Sequence, residues 1–250
     1  MRKLVMMFVA ASLLVCAAPY ARPDPLQDAA KTDKLEGARM AEENGDLARI
    51  HKDYALAISS YQAALRLNRR DAMLYDKLGI IQLLMDQRGA ARKNFAQALK
   101  YDPGYVAAIN NLGVVALLNK KYKTSVNYFK QALALEESNA SIHVNLAEAW
   151  IGLDETDRAM TEYARALELD ADVLTNSTEG ILAQLSTPEQ YARVAYIIAK
   201  MYMKRGNIDG ALDYLRRAKE ANYPDLARVY ADPDFSALWK DPRLAKIVRR

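Results

Sequence analysis

The chain has 250 residues, 51% apolar and 26% charged, which excludes a disordered chain and fits one large or two small folded domains. Ten Gly and eight Pro are too few for an all-β fold built on many tight turns. A formal charge of +4 is too small to imply a nucleic-acid partner, and one Cys with two His excludes a disulfide framework or a Cys/His zinc cluster.

The N-terminus reads as a targeting segment. Arg2 and Lys3 precede an uncharged, mostly apolar run from Leu4 to Ala18, shorter than the ~20 residues that span a bilayer. Residues 1–21 are therefore expected to be a secretory signal peptide, with an uncleaved anchor as the other reading. Cleavage after Ala17 or Ala21 fits the small residues there. Leu13-Leu14-Val15-Cys16 gives a second possibility, a lipid on Cys16, although Val15 stands where lipoprotein boxes carry Gly, Ala or Ser. Loss of Arg2 and Lys3 lowers the formal charge from +4 to +2. The product would be exported, periplasmic or secreted.

Downstream the chain repeats every 34 residues. Ala57, Ala91, Ser125 and Ala159 form one column; Tyr61, Phe95, Phe129 and Tyr163 a second; Ala64, Ala98, Ala132 and Ala166 a third. Leu65, Leu99, Leu133 and Leu167 run beside them, and Leu78-Gly79, Leu112-Gly113 and Leu146-Ala147 recur upstream. Small residues seven apart share one helical stripe and let helices approach closely, with the aromatic filling the gap between. These columns resemble the tetratricopeptide repeat (TPR), a helix–turn–helix unit. The resemblance implies an all-α solenoid, a right-handed superhelix, with units at 38–71, 72–105, 106–139 and 140–173. Asn44-Gly45 is a poor pair for the first helix of unit one. Residues 22–37 lack a sustained apolar stripe and are expected to be a flexible arm or a frayed helix.

After Val173 the register slips by 18 residues. Residues 174–191 read as an insertion loop, with Thr187 capping a helix that begins at Pro188. A fifth unit is placed at 192–225, with Gly206 at its turn and Ala211, Leu215 and Ala218 as its stripe. The remaining residues, 226–250, carry Asp232-Pro233 and Asp241-Pro242, two helix starts nine apart. Phe235, Leu238, Leu244 and Ile247 would cover the last repeat, as a solenoid end requires. The tail is similar to the Asp-Pro ends of exported bacterial TPR proteins.

No nucleophile stands beside a base, no Gly-rich loop follows a strand, and Met201 and Met203 lie on different helical faces. No catalytic residue, metal site or cofactor is expected. His143 reads as a packed aromatic substitute, and Asn176-Ser177-Thr178 as a chance sequon. The resemblance implies instead a protein or peptide partner held in a concave groove lined by the first helix of each unit. Transferred to this chain, the groove positions give Asp76, Ile80 and Leu84 in unit two, Asn110, Val114 and Leu118 in unit three, and Val144 and Glu148 in unit four. The Lys/Asn/Arg set with which chaperone-binding TPRs clamp a peptide carboxylate is missing, because Glu42 and Asp46 occupy matching positions. Ile80, Leu84, Val114 and Leu118 form an apolar stripe, which is either an exposed partner site or part of the core. Two rivals to a scaffold are a lipoprotein subunit of an envelope assembly complex and a cell-wall-acting enzyme.

Overall fold

A computed structural model describes residues 25–170, 173 and 188–249. The expected signal segment, Cys16, the sequon and Thr187 lie outside the described residues.

The described chain is a series of paired helices. They are α1 Pro25–Ile50 with α2 Tyr54–Leu67, α3 Ala72–Leu84 with α4 Arg88–Tyr101, and α5 Val106–Leu118 with α6 Tyr122–Leu135. There follow α7 Ala140–Gly152 with α8 Thr156–Leu169, and α9 Pro188–Lys204 with α10 Ile208–Glu220. Each helix packs on its hairpin partner, and α2, α4, α6 and α8 each also pack on the first helix of the next pair. Two 3-10 segments, Leu226–Tyr230 and Pro233–Leu238, and a short α11, Pro242–Ile247, close the C-terminal end.

Local chemistry sets these boundaries. Asp53, Asp71, Asn139 and Asn207 each accept a hydrogen bond from the backbone N–H three residues on, the usual N-cap arrangement. The turn inside each pair needs one left-handed residue. Lys52, Asp86, Lys120 and Asp154 supply it in the first four pairs (φ 59°, 57°, 57° and 60°), and Gly206 in the fifth (φ 72°). Only the fifth uses the residue for which that conformation costs nothing.

The repeat columns are the core. Ala57, Ala91, Ser125 and Ala159, and the aromatic rings at 61, 95, 129 and 163, are all wholly buried. A Cβ added at Gly79 would sit 2.5 Å from Phe95 Cε1, and one at Gly113 2.4 Å from Phe129 Cε1. These glycines are required by close approach, not by a turn.

Two expectations at the N-terminal end meet the structure. Of the arm or frayed helix expected at 22–37, the described residues show a helix: Pro25 through Gly37 belong to α1, continuous with the first repeat helix. Ala29, Ala30, Lys34, Leu35 and Glu36 are strong helix formers, so the helix persists without a sustained apolar stripe. Gly45 likewise lies inside α1. A Cβ there would meet Tyr61 Cε1 at 2.5 Å, so Gly45 heads the glycine column that continues at Gly79 and Gly113. At the other boundary, α9 begins at Pro188, so 188–191 belong to the fifth pair and not to the insertion.

Apolar packing divides unevenly. Ala48, Ala57, Tyr61, Ala64, Leu74 and Ile81 form a small cluster at the N-terminal end. A single larger cluster runs from Leu83 to Val248 and takes in Phe235, Leu238, Leu244 and Ile247 of the C-terminal segments.

Candidate functional site

The eight expected groove residues lie on the first helices α3, α5 and α7, and α5 touches both α3 and α7. What they do there differs from residue to residue.

Two of the polar members, Asp76 and Asn110, are bonded across the repeats to asparagines outside the expected set. Asn111 Nδ2 donates to Asp76 Oδ1 at 2.9 Å, joining α5 to α3. Asn145 Nδ2 donates to Asn110 Oδ1 at 2.9 Å, joining α7 to α5. One repeat earlier, Lys77 Nζ lies 2.7 Å from Asp46 and also binds Glu42, joining α3 to α1. Every step spans one repeat plus one residue, or one repeat less three. The result is a polar ladder running along the first helices.

The acids at this face feel that environment. Asp76 is 4% exposed, and burial pushes its carboxyl up to about 6 against the lowering effect of the Asn111 bond. Glu148 is half-buried; desolvation pushes it up to about 7, opposed by the Tyr163 hydroxyl and the charge of Arg193.

Glu148 has a structural task that the sequence reading missed. Tyr163 Oη donates to Glu148 at 2.8 Å, and Tyr61 Oη donates to Asp46 at 2.7 Å, both fifteen residues apart. In the middle two repeats the same two columns hold Phe95 with Ile80 and Phe129 with Val114. A buried phenol needs an acceptor, and a buried benzyl ring does not. The signal was legible as a joint change of two columns: acid with Tyr, aliphatic with Phe.

The apolar stripe is also corrected. Val114 is 1% exposed, because α5 has α3 and α7 on either flank and α6 behind it. Ile80, Leu84, Leu118 and Val144 are half-buried, Leu84 against the N-terminal cluster and the others against the main one. The face is therefore not a continuous exposed stripe. It is a row of partly open aliphatic side chains on a floor of core and hydrogen-bonded polar groups. Met73, at 42% exposed, opens its edge.

His143 is buried as an aromatic filler would be, and it is also bonded through both ring nitrogens. Its Nδ1 lies 2.7 Å from Glu162 Oε2 and its Nε2 3.2 Å from the carbonyl of Glu137. Among the described residues no group of three His, Cys, Asp or Glu side chains is placed to hold a metal ion, and no described helix is long and apolar enough to cross a membrane.

Comparison with known proteins follows this geometry. Tetratricopeptide repeat family models match residues 77–126, 116–176 and 192–224, together more than half of the chain. The chain is 28% identical over 128 residues to BBSome complex member BBS4 of Xenopus tropicalis, covering 51% of this chain and 25% of that protein. It is 22% identical over 205 residues to the Hsp70-Hsp90 organizing protein of Triticum aestivum, covering 81% of this chain and 34% of that one. The chain thus spans a quarter to a third of these relatives. Among solved structures, TTC0263, a thermophilic TPR protein of Thermus thermophilus, superposes with a TM-score of 0.54 at 19% identity, over 78% of this chain and 97% of that one. YrrB, described as a TPR protein with an unusual peptide-binding site, gives 0.52 at 19% identity, over 83% and 97%. At that identity the likeness shows the fold alone.

Proposed function

Because the chain belongs to the tetratricopeptide repeat family, whose members generally mediate protein–protein interaction, we propose that it is an exported scaffold that holds a protein or peptide partner along its first helices and performs no catalysis. The observation that carries the reading is the partly open row of Ile80, Leu84, Leu118 and Val144 beside the exposed Met73. The ladder beneath that row already satisfies its own polar groups, so a partner gains chiefly by covering aliphatic surface. Full burial of one such side chain is worth ~1.5–3 kcal/mol. Asp76, Asn110 and Glu148 act in this reading by fixing the spacing of the first helices. Val114 supports the floor of the groove from within.

Export rests on Arg2, Lys3 and the apolar run 4–18, with a lipid on Cys16 of an envelope-complex subunit as the variant of the same reading. N-terminal sequencing of the protein isolated from its native host checks it. A mature chain lacking at least residues 1–15 supports export, and an intact Met1 on the folded product overturns it.

The groove is tested by photo-crosslinking. A photoreactive residue replaces Leu84 or Leu118 in one set of variants and Gln62, exposed on the far side of α2, in another. Adducts from 84 and 118 but not from 62 support the groove. Adducts from 62 alone move the partner to another face.

A further inference from the structure

The formal charge of +4 conceals a split. Residues 54–135 carry twelve Lys and Arg against four Asp and no Glu. The second helices α2, α4 and α6 contain no acid at all. Their buried positions fall on one side of each helix, and 100° per residue places Arg66, Lys93, Lys100, Lys123 and Lys130 on the opposite, outward side, with Arg92 on its flank. All six are exposed.

These cations lack carboxylate partners among the described residues. Lys100 and Lys130 lie over the rings of Tyr101 and Trp150, at 5.9 and 5.3 Å, which leaves their charge in place. The outward side of the C-terminal half is the reverse. Several of its acids are already neutralised within the chain: Asp157 by Lys204 (2.7 Å), Glu168 by Arg205 (2.8 Å), Asp209 by Arg243 (2.7 Å) and Asp213 by Arg217 (3.0 Å). Among the described residues the unbridged acids, such as Glu36, Glu137 and Glu220, lie on separate segments, so a second copy offers no row of them to meet the basic face.

The exposed leucines of these helices, Leu56, Leu67 and Leu135, stand singly near helix ends, and between the cations the outward side carries short or polar groups such as Ala55, Ser59, Ala96 and Asn127. Tight protein interfaces are centred on clustered aromatic or aliphatic anchors, and among the described residues these scattered leucines form no such cluster. A mobile anionic surface needs no anchor, because its charges rearrange under the protein and each nearby Lys or Arg contributes independently. We propose that the outward side of α2, α4 and α6 is an electrostatic docking face for an anionic phospholipid surface, on the opposite side of the array from the groove. It does not depend on the groove being occupied.

Vesicle co-sedimentation of the full chain tests this, with phosphatidylcholine vesicles compared with vesicles containing phosphatidylglycerol. Any contribution of the apolar run 4–18 is common to wild type and variants. The expected result is binding that needs phosphatidylglycerol and falls steeply with salt. Arg92→Glu/Lys93→Glu/Lys123→Glu should weaken it at least about tenfold. The triple variant Lys219→Glu/Lys240→Glu/Lys246→Glu changes net charge equally at exposed positions elsewhere, and should leave most of the binding. Circular dichroism checks that both variants fold. Equal loss in the two variants overturns the assignment, as does binding indifferent to phosphatidylglycerol. A chain that ignores both vesicles but binds polyglutamate or duplex DNA also overturns it, in favour of a macromolecular polyanion.

Discussion

The two ends of the array solve the same problem differently. At the C-terminal end Phe235, Leu238 and Leu244 are wholly buried over the last pair. Polar pairing reinforces them. Lys200 bridges Asp232 and Asp234 at 3.0 and 2.9 Å, Tyr196 Oη donates to Asp232 at 3.0 Å, and Trp239 Nε1 donates to the Val229 carbonyl. At the N-terminal end α1 leaves Leu35, Met40, Leu47 and Ile50 between 51% and 64% exposed. It is held by a six-residue cluster and by the Lys77 bridges. In a solenoid, where contacts are with nearest neighbours, such a difference is inherited by the units next to each end. The capped end should therefore open with the bulk of the array, and the first pair earlier and alone.

The largest test of that contrast is Phe235→Ala. Removing a wholly buried ring from the cap should cost about 3–5 kcal/mol in urea unfolding. A loss below about 1 kcal/mol would mean the cap is peripheral.

The second test uses two buried acids of opposite sign. Burial, with no cation beside it among the described residues, holds the folded value of Asp76 above its unfolded one of 3.8. Its contribution is full below that and is lost as pH rises through about 6. Asp76→Asn keeps an acceptor for Asn111 and should gain about 2 kcal/mol at pH 8, shrinking toward zero at pH 4. Asp232, in contrast, is held below the usual carboxylate range: burial raises it, but Lys200 and the Asp234 backbone N–H outweigh that. Its contribution is present above its unfolded value and is lost as pH falls through the lower folded one. Asp232→Asn should therefore cost about 1–2 kcal/mol at pH 7. Equal signs for the two variants at neutral pH would remove the distinction.

Glycine substitutions compare an end with the middle directly. Gly113→Ala drives a methyl into Phe129 and should cost about 1–3 kcal/mol. Gly45→Ala makes the same clash with Tyr61 in the open pair. It should cost less globally, and show as faster hydrogen exchange confined to α1 and α2. The smallest effect belongs to Lys52→Gly, which relieves a left-handed residue at the first turn. A gain of about 0.5–1 kcal/mol is expected, seen as slower exchange of the first pair.

The sequence made the repeat architecture legible because its columns obey one period and each column has one packing task. Gly45 stood in that register, 34 residues before Gly79, yet beside Asn44 it read as a poor residue for a helix. Propensity misled where close packing decides. The groove was less legible for a different reason. Ile80 and Val114 are the same kind of residue at the same repeat position, but one is half-open and the other closed. That depends on how three successive first helices lean together, a relation no single unit encodes. Asp76, Asn110 and Glu148 were identified as positions at the face. Their partners, Asn111, Asn145 and Tyr163, lie on other helices and become visible only once the pairs are stacked.

The tyrosine–acid pairs bear on how such a chain can change over generations. Repeat proteins are commonly pictured as strings of exchangeable parts, lengthened or shuffled by recombination between like units. Here the first and fourth units carry a phenol matched to a carboxylate, and the second and third a benzyl ring matched to an aliphatic group. A crossover between the two helices of unlike units would bury a hydroxyl without an acceptor, or strand an acid against a ring. Each mismatch costs roughly 1–3 kcal/mol, a large share of a domain's margin. The matched columns thus act as a key, so that whole units can be exchanged but halves cannot.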